Sequence, residues 1–195
     1  MTCLKDRYCK KDEHYMGLAL AEASKAFDQG EFPVGCVIIF NNTLVASGSR
    51  RGTASLEKYP SEIYHAEIRA LQNFENSIAD RTDINIIPEK CTLYSTMEPC
   101  LMCFGAIILS GIKHIVYAFE DPMGGGTSCD LEQLSPLYRD SGIRVVPHIL
   151  RDESLELFAR FFSKKDNAYW KNSLLEEYTL KQAKIVKSLL DETSK

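Results

Sequence analysis

The sequence contains no apolar stretch long enough to cross a lipid bilayer. Its longest apolar run covers residues 101–109, whereas a membrane-spanning helix needs about 20 residues. The first seven residues, Met-Thr-Cys-Leu-Lys-Asp-Arg, are too charged for the apolar core of a secretory signal. These two absences favour a cytoplasmic protein that does not enter a membrane.

The chain also lacks the even, regularly spaced cysteines of a secreted disulfide framework. Its cysteine count, seven, is odd, which fits a reducing compartment. Cys36 and Cys91 lie in apolar runs that are typical of buried strands, so we expect them to be core residues.

An excess of positive charge is missing as well. Lys and Arg number 23 against 27 Asp and Glu, which gives a net charge of −4. A protein that binds a long nucleic-acid backbone usually has a basic face, so the balance argues mildly against that class of partner. Residues 160–195 carry a small local excess of Lys and Arg, which we interpret as a solvated helix surface.

No internal repeat or low-complexity linker divides the chain, so we expect one compact unit with an extension. Strand-like apolar runs alternate with segments of helical periodicity, which predicts a sheet covered on both faces. The Asn41-Asn42 pair between two such runs predicts a tight hairpin. Late in the sequence, helices are predicted over 131–140 and 168–190.

Two short motifs carry side chains that can bind a metal. They are His-Ala-Glu at 65–67 and Pro-Cys-Leu-Met-Cys at 99–103. Zinc prefers nitrogen and sulfur ligands, and a catalytic zinc usually has three protein ligands with a fourth position left to water. His65, Cys100 and Cys103 supply three such ligands, so the sequence predicts a zinc site.

Glu67 remains beside these ligands, and a carboxylate next to metal-activated water is a natural proton carrier. Pro99 is expected in the first turn of a helix, which would place the two cysteine sulfurs on one helix face. The alternative is a structural zinc clip closed by a fourth ligand such as Cys91, in a binding protein without catalytic activity.

With these motifs the chain resembles the cytidine-deaminase-like superfamily, whose zinc nucleobase deaminases carry H-x-E and P-C-x-x-C. It is most similar to the small-chain group of tRNA adenosine, guanine and cytosine deaminases. Further segments that carry the resemblance are 31–37, 93–100, 105–107 and 121–122.

This resemblance implies an α/β fold, a three-layer α/β/α sandwich with a five-stranded mixed sheet. It also implies homodimers with active sites near the subunit interface. A CMP/dCMP-type zinc deaminase domain would cover 12–163, followed by a C-terminal helical extension over 164–195.

Four residues are candidates for substrate contact: Arg50, Ala66, Asp121 and Trp170. The backbone of Ala66 would lie at a helix start, Asp121 matches a family position near the substrate entrance, and Trp170 resembles an aromatic that covers a small bound base. Trp170 could equally be a core or interface anchor.

Arg50 departs from the family pattern, in which an Asn at this position hydrogen-bonds the base. Arginine offers only donors, whereas asparagine also offers an acceptor. Arg50 would therefore favour a carbonyl-bearing or anionic substrate, unless it is an exposed loop residue that points to solvent.

The sequence thus predicts a zinc-dependent hydrolase that converts an exocyclic amine of a nucleobase to a carbonyl and releases ammonia. A free base, nucleoside or nucleotide is favoured by the charge balance, Arg50 and Trp170. The wobble adenosine of tRNA is favoured by the residues of the motifs, which are most similar to those of tRNA adenosine deaminases. A non-catalytic, zinc-stabilised binding protein is the alternative from another class.

Overall fold

The computed structural model describes residues 2–54, 60–80 and 86–193, and the side chains of 10–54, 60–78 and 86–190. Helices and strands alternate along this part of the chain. The helices are α1 (Thr2–Asp28), α2 (Ala66–Asp80), α3 (Leu101–Leu109), α4 (Pro136–Arg139), α5 (Arg151–Phe162) and α6 (Leu174–Thr193). The strands are β1 (Gly35–Phe40), β2 (Thr43–Ser49), β3 (Thr92–Met97), β4 (His114–Phe119) and β5 (Arg144–Val146).

The strands form one sheet in the order β2-β1-β3-β4-β5. β1 is antiparallel to β2 and β3, while β3, β4 and β5 run parallel to one another. Asn41 and Asn42 join β1 to β2 with φ values of 47° and 65°, as a two-residue type I′ hairpin requires. The predicted five-stranded mixed sheet and its hairpin are confirmed.

Helices cover both faces of this sheet. Successive strand residues point in opposite directions, and apolar side chains on both faces pack against helices. On one face α1 packs on Val37, Ile39, Tyr94, Val116 and Ala118. On the other face α2 and α3 pack on a larger apolar cluster that includes Cys36, Ile38, Leu93 and Ile115. This arrangement confirms the three-layer sandwich, and Cys36 and Cys91 are core residues as expected.

Helix α2 lies unusually close to strand β2 because residue 48 is a glycine. A Cβ atom on Gly48 would lie 2.3 Å from the carbonyl oxygen of Ala66 and 2.5 Å from the nitrogen of Ala70. The first turn of α2 therefore rests directly on the β2 backbone, which fixes the position of the His-Ala-Glu motif.

Three of the predicted helices differ from the structure. In place of one helix over 131–140 there is a 3₁₀ turn, Leu131–Gln133, and the one-turn α4. Pro136 lacks a backbone N–H, so it begins a new helix with Ser135 as N-cap.

The last helix begins at Leu174 and not at 168. Trp170 and Asn172 adopt φ values of 53° and 60°, and left-handed backbone interrupts a right-handed helix. Helix α3 also begins later than expected: Cys100 is its N-cap, so Pro99 precedes the first turn.

The C-terminal segment packs on the core through its own apolar residues. Leu175 and three phenylalanines of α5 are buried in the cluster that contains Phe32. In the described part of the chain, no helix combines the length and apolarity needed to cross a membrane.

Candidate active site

The three predicted metal ligands come together at the starts of two neighbouring helices. His65 directly precedes α2, and its Nδ1 lies 3.5 Å from the Sγ of Cys100 and 3.4 Å from the Sγ of Cys103. A tetrahedral zinc ion, with Zn–S near 2.3 Å and Zn–N near 2.0–2.1 Å, would separate nitrogen and sulfur by about 3.5 Å. The three donor atoms all lie within 4.8 Å of one another, so their chemistry and spacing fit zinc.

Cys91 does not belong to this group. Among the described residues, the cluster that could hold an ion contains His65, Cys100 and Cys103, while the Sγ of Cys91 lies 3.6 Å from the carbonyl oxygen of Ile87. Cys91 is therefore not placed to act as the fourth ligand of a structural clip.

The two cysteine sulfurs form a coupled pair. The hydrogen bond from the Cys103 thiol lowers the pKa of Cys100 to about 4. The same hydrogen bond, together with burial, raises the pKa of Cys103 well above its usual range. A metal cation bound by both sulfurs would favour the thiolate form of each cysteine.

Glu67 is buried beside these sulfurs. Its Oε1 accepts a hydrogen bond from the hydroxyl of Ser95 at 2.8 Å, and its Oε2 lies 3.5 Å from the Sγ of Cys103. Burial raises the pKa of Glu67 above that of an ordinary glutamate, which suits a group that must both accept and release a proton. Ser95, on β3, fixes one carboxylate oxygen and was not anticipated from the sequence.

A cavity of about 260 Å³ opens beside His65, Glu67 and Cys100. Pockets for drug-sized ligands usually measure about 300–1,000 Å³, so this one suits a smaller ligand. The predicted substrate-contact residues all line it: Arg50, Ala66, Asp121 and Trp170.

Arg50 is buried in the cavity wall, with 2% of its side chain exposed, so the alternative that it points to solvent is wrong. Its Nη2 donates to the carbonyl oxygen of Ser61 at 3.0 Å, to Glu62 Oε2 at 3.1 Å and to the Tyr169 hydroxyl at 3.3 Å. Its Nη1 is equally buried, and none of the described residues accepts a hydrogen bond from it.

Tyr169 forms the inner part of the wall that the C-terminal segment contributes. Its hydroxyl donates to Glu62 at 2.9 Å, and its ring lies 5.4 Å from that of Phe32. The neighbouring Trp170 is 42% exposed and its ring lies 5.7 Å from the Tyr169 ring. Of these two residues, Trp170 was predicted to contact substrate and Tyr169 was not, although adjacent aromatics in a polar segment are a usable signal.

Another overlooked residue, Glu98, organises the glycine-containing loop at the cavity edge. Its carboxylate accepts from the backbone N–H of Asp121 at 3.1 Å and of Thr127 at 3.3 Å. Asp121 in turn accepts from the backbone of Met123 and Gly124, and burial raises its pKa. The Asp121 carboxylate thus shapes the loop as well as lining the cavity.

Comparisons with known proteins agree with this geometry. Residues 9–119 match the family model of the cytidine and deoxycytidylate deaminase zinc-binding region. A tRNA-specific adenosine deaminase from Bacillus subtilis (strain 168) is 33% identical over 165 residues, which cover 83% of this chain and 97% of the relative. A tRNA-specific adenosine deaminase from Aquifex aeolicus (strain VF5) is 30% identical over 155 residues, or 80% of this chain and 96% of the relative.

Two solved structures show the same likeness in three dimensions. One comes from a study of A-to-I editing by tRNA deaminases at the wobble position of transfer RNA. It has a TM-score of 0.56 and 28% identity, and the match covers 74% of this chain and 98% of that one. The other is NE0047 in complex with 2,6-diaminopurine, with a TM-score of 0.58, 25% identity, and coverage of 81% of this chain and 85% of that one.

Proposed function

The chain belongs to the cytidine and deoxycytidylate deaminase zinc-binding family, and on that premise we propose that it deaminates a small nucleobase-type substrate in the cavity beside Glu67. The substrate is a free base, nucleoside or nucleotide. The observation that carries this proposal is the cavity wall formed by Arg50, Glu62 and Tyr169, which leaves about 260 Å³ beside the zinc ligands.

In the proposed mechanism, His65, Cys100 and Cys103 would hold a zinc ion, which when bound would supply polarised water near neutral pH. Glu67 takes a proton from the water and passes it to a ring nitrogen of the substrate as oxygen adds to the amine-bearing carbon. Glu67 then carries the proton of the added hydroxyl group to the exocyclic nitrogen. The C–N bond breaks, which releases ammonia and leaves a ring carbonyl.

Other features support this division of roles. The hydrogen bond from Ser95 keeps one carboxylate oxygen of Glu67 fixed while the other faces Cys103. Ala66, Asp121 and Trp170 line the cavity and are proposed to contact the substrate.

A second candidate substrate is the wobble adenosine of tRNA. Curated relatives at 33% and 30% identity are named tRNA-specific adenosine deaminases. Such a substrate would place one base in the same cavity and bind its phosphates outside, so its affinity would fall steeply with salt.

We also propose that the protein is a cytoplasmic homodimer, with a deaminase domain at 12–163 and an extension at 164–195. Helix α3, which carries Cys103, leaves Leu101 and Leu109 each 63% exposed. An apolar face on a helix that borders the active site supports a subunit interface there.

The proposal is tested by incubating the zinc-loaded protein with free bases, nucleosides, nucleotides and a tRNA anticodon stem-loop, and measuring ammonia. Glu67→Gln should keep its zinc and fold but lose roughly 10²–10⁴ in rate, the usual contribution of a positioned proton carrier. Glu75→Gln, on the exposed side of the same helix, is the matched control and should behave as wild type.

Two results would contradict the proposal. Ammonia released only from the stem-loop, with binding that weakens steeply as salt rises, would establish the tRNA substrate. No ammonia from any amine, in protein that retains zinc, would remove the deaminase function itself.

A further inference from the structure

One buried carboxylate has no part in the proposed reaction. Three glutamates are buried in the described part of the chain: Glu31, Glu67 and Glu98. Glu67 lies beside the possible metal ligands, and Glu98 organises the loop at the cavity edge. Glu31 is only 1% exposed and belongs to neither group. A buried charge is costly unless it is hydrogen-bonded, so the partners of Glu31 indicate what it does.

Among the described residues, the hydrogen-bond donors to Glu31 come from the segment just after β2. Its Oε1 accepts from the backbone N–H of Gly52 at 3.1 Å. Its Oε2 accepts from the backbone N–H and the hydroxyl of Thr53, both at 2.6 Å, and from the N–H of Ala54 at 2.9 Å. Burial alone would raise the pKa of Glu31, but these hydrogen bonds outweigh it and lower the pKa. Glu31 is therefore charged at neutral pH, which strengthens each hydrogen bond that it accepts.

The segment that Glu31 holds is tied in turn to the chain just before α2. The backbone N–H of Ser61 donates to the carbonyl oxygen of Gly52 at 3.0 Å. The backbone N–H of Arg51 donates to the carbonyl oxygen of Tyr64 at 3.2 Å. Gly52 has a φ of 86°, and a Cβ atom there would lie 2.8 Å from the nitrogen of Ser61, so a glycine lets the two segments pair directly.

These segments contribute to the wall of the cavity. Arg50 and Glu62 line it and form an ion pair at 3.1 Å, and Glu62 also accepts from the Tyr169 hydroxyl at 2.9 Å. Phe32, the neighbour of Glu31 in sequence, lines the cavity too, and its ring lies 5.4 Å from that of Tyr169. Glu31 thus joins separate parts of the chain that meet at this wall.

The reacting groups are held by other contacts. The first turn of α2 rests on Gly48, and the carbonyl oxygen of His65 accepts from the backbone N–H of Arg69 at 3.0 Å. Ser95 donates to the carboxylate of Glu67. Loss of the Glu31 hydrogen bonds is therefore expected to move the cavity wall and to leave the reacting groups in place.

We propose that Glu31 is a positioning residue, which anchors the backbone of residues 52–54 and thereby fixes the cavity wall that binds the substrate. Glu31 does not line the cavity itself, so it acts on substrate affinity through Arg50, Glu62 and Phe32. This inference rests on the proposed function, because the substrate is that of the same cavity.

Glu31→Gln keeps the size of the side chain but turns an amide NH₂ group toward backbone N–H donors. Hydrogen bonds to a charged acceptor contribute about 10- to 100-fold to an equilibrium constant, so KM should rise about tenfold or more. A rise in KM with kcat unchanged marks the loss of binding that is uniform through the reaction, so kcat and zinc content should stay close to wild type. The probe is whichever of cytosine, guanine, cytidine, adenosine and an anticodon stem-loop the wild type deaminates fastest.

Glu22→Gln is the matched control, because its carboxylate pairs with Lys25 on the exposed side of α1. It should leave KM, kcat and zinc content as in the wild type. An unchanged KM in Glu31→Gln would overturn the inference. So would a parallel fall in kcat and zinc content, since that result would show a general loss of structure.

Thr53→Val is a milder variant that keeps the carboxylate and its backbone partners. It removes the hydroxyl that donates to Glu31 and that accepts from the backbone N–H of Phe32 at 2.8 Å. KM should rise by about two- to tenfold, the usual worth of such hydrogen bonds, again with kcat and zinc content unchanged. A lower or unchanged KM in this variant would contradict the anchoring role even if Glu31→Gln fails to fold.

Amide hydrogen exchange, followed by mass spectrometry, gives a readout that does not depend on turnover. In Glu31→Gln the amides of residues 52–54 and 61–64 should exchange about tenfold faster or more, while those of α2 should keep their protection. Unchanged exchange at 52–54 would overturn the inference whether or not the protein is a deaminase. Faster exchange there, in a protein whose wild type releases no ammonia from any amine, would support the anchoring role and count against the proposed function alone.

Discussion

At the scale of single residues, the zinc site depends on Gly48 in strand β2, because a glycine has no side chain to keep helix α2 away. His65 and Glu67 flank the first residue of α2, and that turn rests on the backbone of Gly48. Any side chain at residue 48 would have to push the helix start away from β2, and with it one ligand and the proposed proton carrier.

Gly48→Ala is therefore expected to lower the free energy of unfolding by roughly 1–3 kcal/mol, as overpacking does in a rigid core. It should also weaken zinc binding, since His65 would move relative to the two sulfurs. Denaturant unfolding and zinc content per chain measure the two effects.

Gly17→Ala is the matched control, because nothing lies within 4 Å of a Cβ atom at that helix position. It should be neutral or stabilise by up to about 1 kcal/mol. Equal stability and zinc content in Gly48→Ala and wild type would contradict the proposed dependence on close approach.

At the scale of elements, α5 and α6 are joined to the end of β4 by one carboxylate. Glu120 accepts from Arg151 Nε at 2.8 Å and from the Tyr178 hydroxyl at 2.7 Å, and His148 lies 3.5 Å away. Burial disfavours the charged form of Glu120, but the hydrogen bonds from Arg151 and Tyr178 outweigh it and lower its pKa.

A carboxylate whose pKa is lowered by folding stabilises the fold above its unfolded pKa, near 4.3. That contribution is lost as the pH falls through the lower, folded value. Glu120→Gln should therefore cost roughly 1–2 kcal/mol at pH 7 and show a shallower loss of stability between pH 5 and pH 3.

Unfolding titrations at several pH values provide the measurement, with the exposed Glu156→Gln of α5 as control. If Glu120→Gln and wild type lost stability in parallel over the acid range, the lowered pKa would have no part in docking α6.

The parts of the site and of the fold differ in how well the sequence alone predicts them. His65, Cys100 and Cys103 were predictable because the residues within each motif are closely spaced and the two motifs together are typical of a zinc deaminase site, although the fold is needed to bring the motifs together. The sandwich followed from alternating strand and helix patterns. In contrast, the Arg50–Tyr169 contact joins residues 119 positions apart, and no local pattern signals such a pair.

The helix errors have a similar cause. Apolar spacing over 168–190 is compatible with one continuous helix, but Trp170 and Asn172 take left-handed backbone as the segment turns toward the cavity. In the same segment the half-buried Tyr169 packs against the core, which is a tertiary interaction that no local pattern signals. Pro136, by comparison, was a local signal for a break in the predicted 131–140 helix.

At the scale of the whole molecule, the exposed face of α3 is the strongest indication of self-association. Leu109→Glu should convert the proposed homodimer to a monomer, because a charge in an apolar interface core is strongly disfavoured. Light scattering over a range of concentrations measures the mass. Leu44→Glu, at a similarly apolar surface position on β2 that is 44% exposed, should leave the assembly unchanged. A wild-type protein that is monomeric at every concentration would contradict the dimer.

The residues of the proposed reaction and the aromatic residues of the cavity wall also lie in different parts of the chain. The possible metal ligands and Glu67 come from residues 65–103. The aromatic residues that the C-terminal segment adds to the cavity wall are 169–170. They lie well past residue 119, where the match to the family model ends. Replacing this late segment would therefore change the shape of the cavity without changing the metal ligands or Glu67. Changes confined to residues 164–195 are therefore expected to alter which substrate fits while the reaction stays the same.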